Sequence, residues 1–310
     1  MPRAVRFDHY GGSDVLSVVD IDQPHPGPGE VVVRVVAAAT NPGEMLIREG
    51  AFADVWPATF PEGQGNDFSG RIAEVAPGEA RFSPGDEVIG FLPRAAQADY
   101  VVSASDRLAR KPPRVSWEVA AAIPAAGSTA YAAVRAVHLK AGETVVVAAA
   151  AGGVGVIAAQ LARLAGARVI GTAGDTNAEF LRSLGVEPVR HGDGLLERIQ
   201  QLAPDGVDAY LDNFGAGNVD LAIKLGVAPD RINTIIDGAA AARYGTHADA
   251  QTQADSPQVW EELAELVVAG RLTIPIQSVY PLEQVRAAYD ELAARHTRGK
   301  IILRVAPDAY

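Results

Sequence analysis

Cysteine is absent from all 310 residues. That excludes disulfides and any thiolate metal site. Long apolar runs are also lacking: no stretch approaches the ~18 residues that a membrane span requires. The first residues, MPRAVRFDHY, contain no apolar segment of a secretory signal, so a soluble cytoplasmic protein without a membrane partner is expected. Positive charge is in deficit, with 27 Lys and Arg against 38 Asp and Glu and a net charge of −11. Nucleic acid and anionic membrane surfaces need a basic face and are poor partners for such a chain. Histidine is sparse, and His9, His25, His138, His191, His247 and His296 show no paired spacing. There is no low-complexity tract and no internal repeat. What remains is ordinary globular composition, 48% hydrophobic and 21% charged, over a length that suits two domains.

The first 110 residues read as β-structure. Short β-rich runs (Ala4–Phe7, Val15–Val19, Val31–Ala39, Gly70–Val75, Glu87–Phe91, Ala98–Val102) are separated by turn clusters such as HPGPGE, APGEA and SPGDE. That pattern predicts an antiparallel, barrel-like domain. After Pro112–Pro113, strand and helix signals alternate. Strands are expected at Thr144–Ala148, Arg168–Thr172, Val207–Asp212 and Arg231–Ile236, and helices at Ser116–Ile123, Thr129–His138, Val154–Ala165, Ala178–Leu184, Val219–Leu225 and Pro257–Ala269. Such alternation predicts a doubly wound parallel sheet. Near the end come a strand at Ile274–Tyr280, a helix at Leu282–Arg295 and a strand at Lys300–Val305, which we expect to return to the first domain. The expected division is 1–115 with 272–310, and 116–271.

The stretch VVVAAAAGGVGVIAAQLA (Val145–Ala162) carries the first functional signal. A β-branched run enters an apolar run of helical spacing through Gly152, Gly153, Val154 and Gly155. A strand that meets a helix through glycines is a pyrophosphate site: the helix start offers free N–H groups and a positive dipole end, and glycine lets the phosphate come close. The match to G-x-G-x-x-G is incomplete, because Ala150 occupies the first position. Small residues that merely let helix and sheet pack are the alternative.

With this loop in view, the chain resembles the medium-chain dehydrogenase/reductase superfamily, and within it the zinc-independent quinone-oxidoreductase-like branch. The resemblance rests on ordered motifs along nearly the whole chain: AATNPGE (Ala38–Glu44), PEGQGNDFSGRIAEVAPG (Pro61–Gly78), FSPGDEVIGF (Phe82–Phe91), AAIPAAGSTAYAAV (Ala121–Val134), the glycine loop, ARVIGTAG and the tail RHTRGKIIL (Arg295–Leu303). In that branch the loop reads A-x-x-G-x-x-G, which Ala149, Gly152 and Gly155 satisfy. The resemblance implies an α/β protein with a GroES-like partial β-barrel domain and a Rossmann-type doubly wound domain. It also implies hydride transfer from a nicotinamide, usually NADPH, to a quinone or an enone, and it suggests a homodimer.

Zinc-dependent relatives bind a catalytic metal through Cys, His and a further Cys or acidic ligand. Here Asn41 stands at the first of these positions and Gly65–Asn66–Asp67 at the Gly-His-Glu, so no metal is expected. Without a Lewis acid, alcohol oxidation is difficult. Conjugate reduction asks less, since hydrogen-bond donors can meet the charge on an enolate or hydroquinone oxygen.

Other candidate site residues follow. Asn41 either closes an Asx turn before Pro42 or, by resemblance, faces the nicotinamide and substrate; Glu44 either orients Asn41 or is solvated. Thr129 either caps a helix or, by resemblance, sits beside the carboxamide. Tyr131 is either a cleft hydroxyl or a core aromatic, with core the favoured reading, and Asp67 reads as a structural acceptor of turn amides rather than a proton donor. Where the branch carries tyrosines, this chain has Leu46 and Phe52, an apolar substitution that suits an enone as well as a quinone.

For the adenosine ribose, the strand tip is Ala173, which lacks the acidic residue that marks NAD. Thr172, Gly174 and Asn177 surround that turn, with Arg190 and His191 ending the next strand. NADP(H) is expected in preference to NAD(H), although Asp175 opposes a 2′-phosphate. Asn213, Phe214 and Gly238 are expected to border the cofactor, and Lys300 either matches the family's tail or is a solvated strand-end cation. The leading reading is a zinc-independent NADP(H)-dependent reductase of quinones or enones. An enoyl-thioester reductase and a non-catalytic nucleotide-binding redox sensor are the alternatives.

Overall fold

A computed structural model describes residues 1–306. The described residues divide into two compact units, one of residues 1–125, 256–269 and 275–306 and one of residues 126–255 and 270–274. The first unit opens with β1 (Arg3–Phe7), which pairs antiparallel with β2 (Ser17–Asp20) and with β4 (Glu62–Gly63). The long β3 (Glu30–Ala39) pairs antiparallel with β5 (Asp67–Val75) and β7 (Tyr100–Ala104). Its EVVVRVVAAA sequence is buried along almost its whole length. That continuous burial is why it reads as an unbroken β-branched run rather than an alternating one. β6 (Glu87–Phe91) and β8 (Leu108–Arg110) extend the sheet beyond β5. Between β3 and β4 the chain forms α1 (Pro42–Arg48), and α2 (Trp117–Ala121) packs on β3 and β5.

The second unit contains α3 (Pro124–Ala136) from Ala126 onward, then β9 (Thr144–Val147), α4 (Gly153–Leu164), β10 (Arg168–Ala173), α5 (Ala178–Ser183), β11 (Glu187–Arg190), α6 (Leu195–Leu202), β12 (Ala209–Asp212), α7 (Asn218–Lys224), β13 (Ile232–Thr234) and α8 (Gly238–Tyr244). Its sheet has the order β11-β10-β9-β12-β13, and the pairings are parallel throughout. The order reverses beside β9, so β9 and β12 stand at the point where chains of this topology bind ligands, outside the carboxyl ends of the strands. Valines 145–147 are fully buried, as a strand covered on both faces requires.

The chain then returns to the first unit. α9 (Pro257–Val268), capped by the Ser256 hydroxyl accepting from Val259 N, packs on β8 and β6. β14 (Ile276–Pro281) lies parallel to β15 (Lys300–Arg304), and β15 runs antiparallel to β3. α10 (Val285–Ala293) covers β14 and β15. Residues 256–269, expected with the nucleotide-binding part, group with the β-rich unit, because the contacts of α9 lie on β6 and β8. The expected helix from Thr129 begins earlier, at Pro124, where a fixed φ and a missing N–H suit a helix start. Thr129 therefore lies inside a helix rather than at its cap. Among the described residues no helix is long and apolar enough to cross a membrane.

Candidate active site

In the first unit, the carboxyl end of β3 delivers Asn41 directly into α1. Asn41 is extended, at φ −136 and ψ 144, and Pro42 occupies the first helical position. Glu44, three residues on, turns back to accept the Asn41 backbone N–H at 2.9 Å, the reciprocal contact of a capping box. Its other oxygen accepts from Asn41 Nδ2 at 2.9 Å and from Asn66 N at 3.0 Å. Glu44 is thus buried and orients Asn41, and the solvated alternative is excluded.

The second N–H of the Asn41 amide goes to Asp67 Oδ2 at 2.8 Å. Asp67, fully buried at the start of β5, also accepts the Ala125 N–H at 2.9 Å on Oδ1. From β15, Lys300 Nζ donates to Asn41 Oδ1 at 2.5 Å and to Thr40 O at 2.9 Å, and stands 4.0 Å from Asp67 Oδ2. Lys300 is only 4% exposed, so it is not a solvated strand-end cation. Sequence reasoning missed four members. The Tyr289 hydroxyl, on α10, donates to Glu44 Oε2 at 2.6 Å and receives from Gln64 Nε2 at 2.8 Å and Gln97 Nε2 at 2.9 Å. Arg48 stacks on the Tyr289 ring, 4.9 Å from its centroid.

This inventory constrains protons. Both lone pairs of the Tyr289 hydroxyl are filled by amide donors, so its own hydrogen must point at Glu44. Glu44 then faces several donors, each of which favours its ionised form. Burial and the neighbouring Asp67 charge oppose ionisation and push the Glu44 carboxyl up to about 7, against the bonds from Tyr289 and Asn41 and the charge of Lys300. Burial in turn lowers Lys300, with Asp67 and Glu44 pulling it back.

The same contacts test the residues against a zinc ion. The Asn41 oxygen is bonded to an ammonium. The Asn66 oxygen accepts from Arg94 N at 2.9 Å. Both Asp67 oxygens are engaged. No three free donors converge, and a cation already fills their midst, so the residues do not fit a tetrahedral zinc site. Among the described residues no group of three or more His, Cys, Asp or Glu is placed to hold a metal ion.

In the second unit, β9 runs through Ala148 into a tight turn in which Ala149 takes a positive φ of 51°. Gly152 N returns to Ala149 O at 2.9 Å, and α4 begins at Gly153. A Cβ on Gly155 would lie 2.2 Å from Ala149 O, so only glycine lets helix and strand approach this closely. By helix geometry the first N–H groups of α4, at Gly153, Val154 and Gly155, have no intrahelical acceptor. The Thr172 hydroxyl accepts from Ala149 N at 3.0 Å and thereby holds the turn. Asn213, just past β12, donates to Ala148 O at 3.0 Å, and its Oδ1 is buried without a partner. A turn held tight against the helix start at Gly155, with an orphaned acceptor beside it, fits a dinucleotide whose ribose hydroxyls donate.

The other candidates of this unit gather at the same strand ends. His191 N bonds Ala173 O at 3.2 Å, and His191 Nε2 is 3.8 Å from where a Gly174 Cβ would sit. Asn177 begins α5 and Gly238 begins α8. Phe214 is 43% exposed. Thr129 is buried in α3 of this unit, while Tyr131, read as core, is half-buried with Arg135 over its ring at 5.5 Å.

A partly open β-unit whose first long strand ends in a polar cluster, and a five-stranded parallel unit with a glycine turn, are the parts of a GroES-like and Rossmann-type oxidoreductase. Comparison with known proteins gives the same answer. Residues 27–112 match the alcohol dehydrogenase GroES-like domain, and residues 184–303 match the family described as zinc-binding dehydrogenase. A probable zinc-binding oxidoreductase, mitochondrial, of Arthroderma benhamiae is 31% identical over 91% of this chain and 92% of its own length. A quinone-oxidoreductase homolog, chloroplastic, of Spinacia oleracea is 34% identical over 60% of each chain, so the match spans less than two thirds of that relative. The solved quinone oxidoreductase from Coxiella burnetii superposes with a TM-score of 0.86 at 28% identity, covering 98% of this chain and 99% of that one. The chain belongs to the medium-chain dehydrogenase/reductase superfamily, in its quinone-oxidoreductase-like branch.

Proposed function

We propose that the protein is an NADP(H)-dependent reductase of quinones or α,β-unsaturated carbonyls that works without zinc. The observation that carries this reading is the hydrogen-bonding state of Asn41, Asn66 and Asp67, whose oxygens are committed to protein donors and to Lys300. The bound nicotinamide would supply hydride to an electron-poor carbon. The chain's own contribution is binding and charge control. The amides at the start of α4 would hold the pyrophosphate, Thr172 keeps that turn in shape, and Asn213 Oδ1 would accept from a ribose hydroxyl. A buried network of one cation and two acids fixes the charge and the orientation of the Asn41 side chain.

NADP(H) is preferred over NAD(H) because Ala173 offers no carboxylate to the ribose hydroxyls. Arg190, paired with Asp175 at 3.7 Å, stands at the neighbouring strand end. In support, a solved mycobacterial structure complexed with NADPH is 26% identical with a TM-score of 0.86. Binding isotherms for the two cofactors test this preference, and tighter binding of NADH would reverse it.

The reaction is tested by following oxidation of the reduced cofactor with a panel of quinones, enones and an enoyl thioester, with and without a chelator. Turnover that is indifferent to the chelator is expected. Activity that disappears with the chelator and returns with added zinc would overturn the reading, and binding without turnover across the panel would favour a redox sensor.

A further inference from the structure

The network around Asn41 is built so that its one ammonium cannot move. Lys300 follows Gly299, whose φ is 71° and whose missing Cβ leaves room for Pro275 O, which would otherwise lie at 2.0 Å. Lys300 N then bonds that same carbonyl at 3.0 Å, and the residue enters β15 in register with Ile276 of β14. Backbone and side chain are therefore both held: two of the three ammonium hydrogens go to Thr40 O and Asn41 Oδ1, and the third direction faces Asp67.

The Asn41 amide has nearly the same shape when turned end for end, so shape alone does not orient it. Charge does. Its two N–H bonds point at Glu44 and Asp67, and its oxygen points at Lys300. Turning it over would set an oxygen against two acidic groups and an NH₂ against an ammonium. Without Lys300 the Asn41 oxygen loses its ammonium donor, and the two acids lose the cation that stands beside them.

We propose that Lys300 is a positioning residue of the reductase described above: its ammonium is the resident cation of the site, locking Asn41 in one orientation and balancing Asp67 and Glu44 where zinc-dependent relatives carry a metal. The catalytic part of this proposal rests on the reductase reading; the electrostatic part does not. The titrating group that reports on it is Glu44. It is faced by Asp67 of β5, Lys300 of β15 and Tyr289 of α10, with Arg48 of α1 stacked behind the tyrosine. Removing the cation withdraws an interaction that favours the ionised carboxyl, so Glu44 should protonate at higher pH.

The absence of cysteine provides a clean test. Lys300→Cys creates a single thiol, which is alkylated in the unfolded chain and refolded, either aminoethylated to restore an ammonium or propylated to give an uncharged side chain of the same length. Lys300→Met is made in parallel. The readouts are the pH profile of kcat/KM, the ¹³C-NMR titration of the Glu44 carboxyl without ligand, and NADPH affinity. Loss of the charge should lower kcat/KM by about tenfold or more at neutral pH. It should also move the Glu44 titration up by about one pH unit, with NADPH affinity within about threefold of wild type. Aminoethylation should restore both the rate and the titration. A propylated protein with the rate and titration of the aminoethylated one overturns the proposal, as does a Lys300→Met protein whose Glu44 titrates as in wild type. If the unaltered protein turns over nothing in the panel, the reductase reading fails on its own, and the unliganded titration still decides the role of Lys300. Should neither alkylated chain refold, the Lys300→Met titration decides it.

Discussion

The Tyr289 hydroxyl donates to Glu44 across 2.6 Å although the two residues are 245 positions apart in the chain. It ties α10 to α1, and through two glutamine amides it ties both to the segments around Gln64 and Gln97. Removing the oxygen alone, as Tyr289→Phe, keeps the ring against Arg48 but takes the acceptor from the buried Gln64 amide, one of two acceptors from the Gln97 amide and one of two donors from Glu44 Oε2. The expected loss of stability is roughly 3 kcal/mol, read as a lower midpoint in urea denaturation. A change below about 1 kcal/mol would mean that water replaces the hydroxyl.

The Glu44 carboxyl gives the protein a pH dependence of unusual sign. Its pKa is raised from 4.5 to about 7 in the folded state, so between those values the native protein holds a proton that the unfolded chain has released. Stability from this group is therefore present at low pH and falls as pH rises through the window, by roughly 3 kcal/mol in all. Denaturation at a series of pH values should show this slope, and Glu44→Gln should remove it. A wild-type slope of the opposite sign that the substitution leaves intact would show that other groups dominate.

Gly155 has no room for a side chain. In Gly155→Val the Cβ would meet Ala149 O at 2.2 Å, so the turn must open. A stability loss of about 2 kcal/mol should accompany a fall in NADPH affinity of about tenfold or more. Stable protein with unchanged affinity would remove the glycine turn from the cofactor site.

Asp175 and Arg190, 73% and 69% exposed, sit 3.7 Å apart at the end of the β10–β11 pair. If a 2′-phosphate binds there, Asp175→Asn removes a like charge and frees the arginine. NADPH affinity should rise by about two- to fivefold, the range of an exposed charge pair, and NADH affinity should stay unchanged. Titration calorimetry with both cofactors separates this from a general effect on the fold.

The parts of the site that depend on nearby residues were legible in the sequence, and the parts that depend on tertiary distance were not. Ala149, Gly152 and Gly155 lie within one turn, so their spacing already states the geometry. Asn41 and Glu44 were also readable, but the helix they start was not recognised, because Asn-Pro also signals a turn. The distinguishing signal was Glu three residues after the Asn with Pro between them, which satisfies a helix start. Tyr289 gave no comparable cue. It falls on the buried stripe of α10 with Val285 and Ala288, where an aromatic reads as core; only the folded chain shows that its hydroxyl needs a partner. For Lys300 the tail motif was visible, but whether an ammonium beside a glycine faces solvent or is enclosed depends on strand pairing with β3 and β14, more than 250 and more than 20 residues away respectively.

β15 has one more consequence, for synthesis. It contributes the ammonium, and it is a late segment that inserts beside a strand made near the beginning. While the ribosome is still translating residues before 300, the nascent first unit has Asp67 and Glu44 but no counter-ion, and the β3 edge that β15 will occupy stays open. Arrival of the closing strand therefore completes the sheet and the charge balance in one event, so a chain truncated before Lys300 should neither mature into a stable fold nor assemble a partial centre.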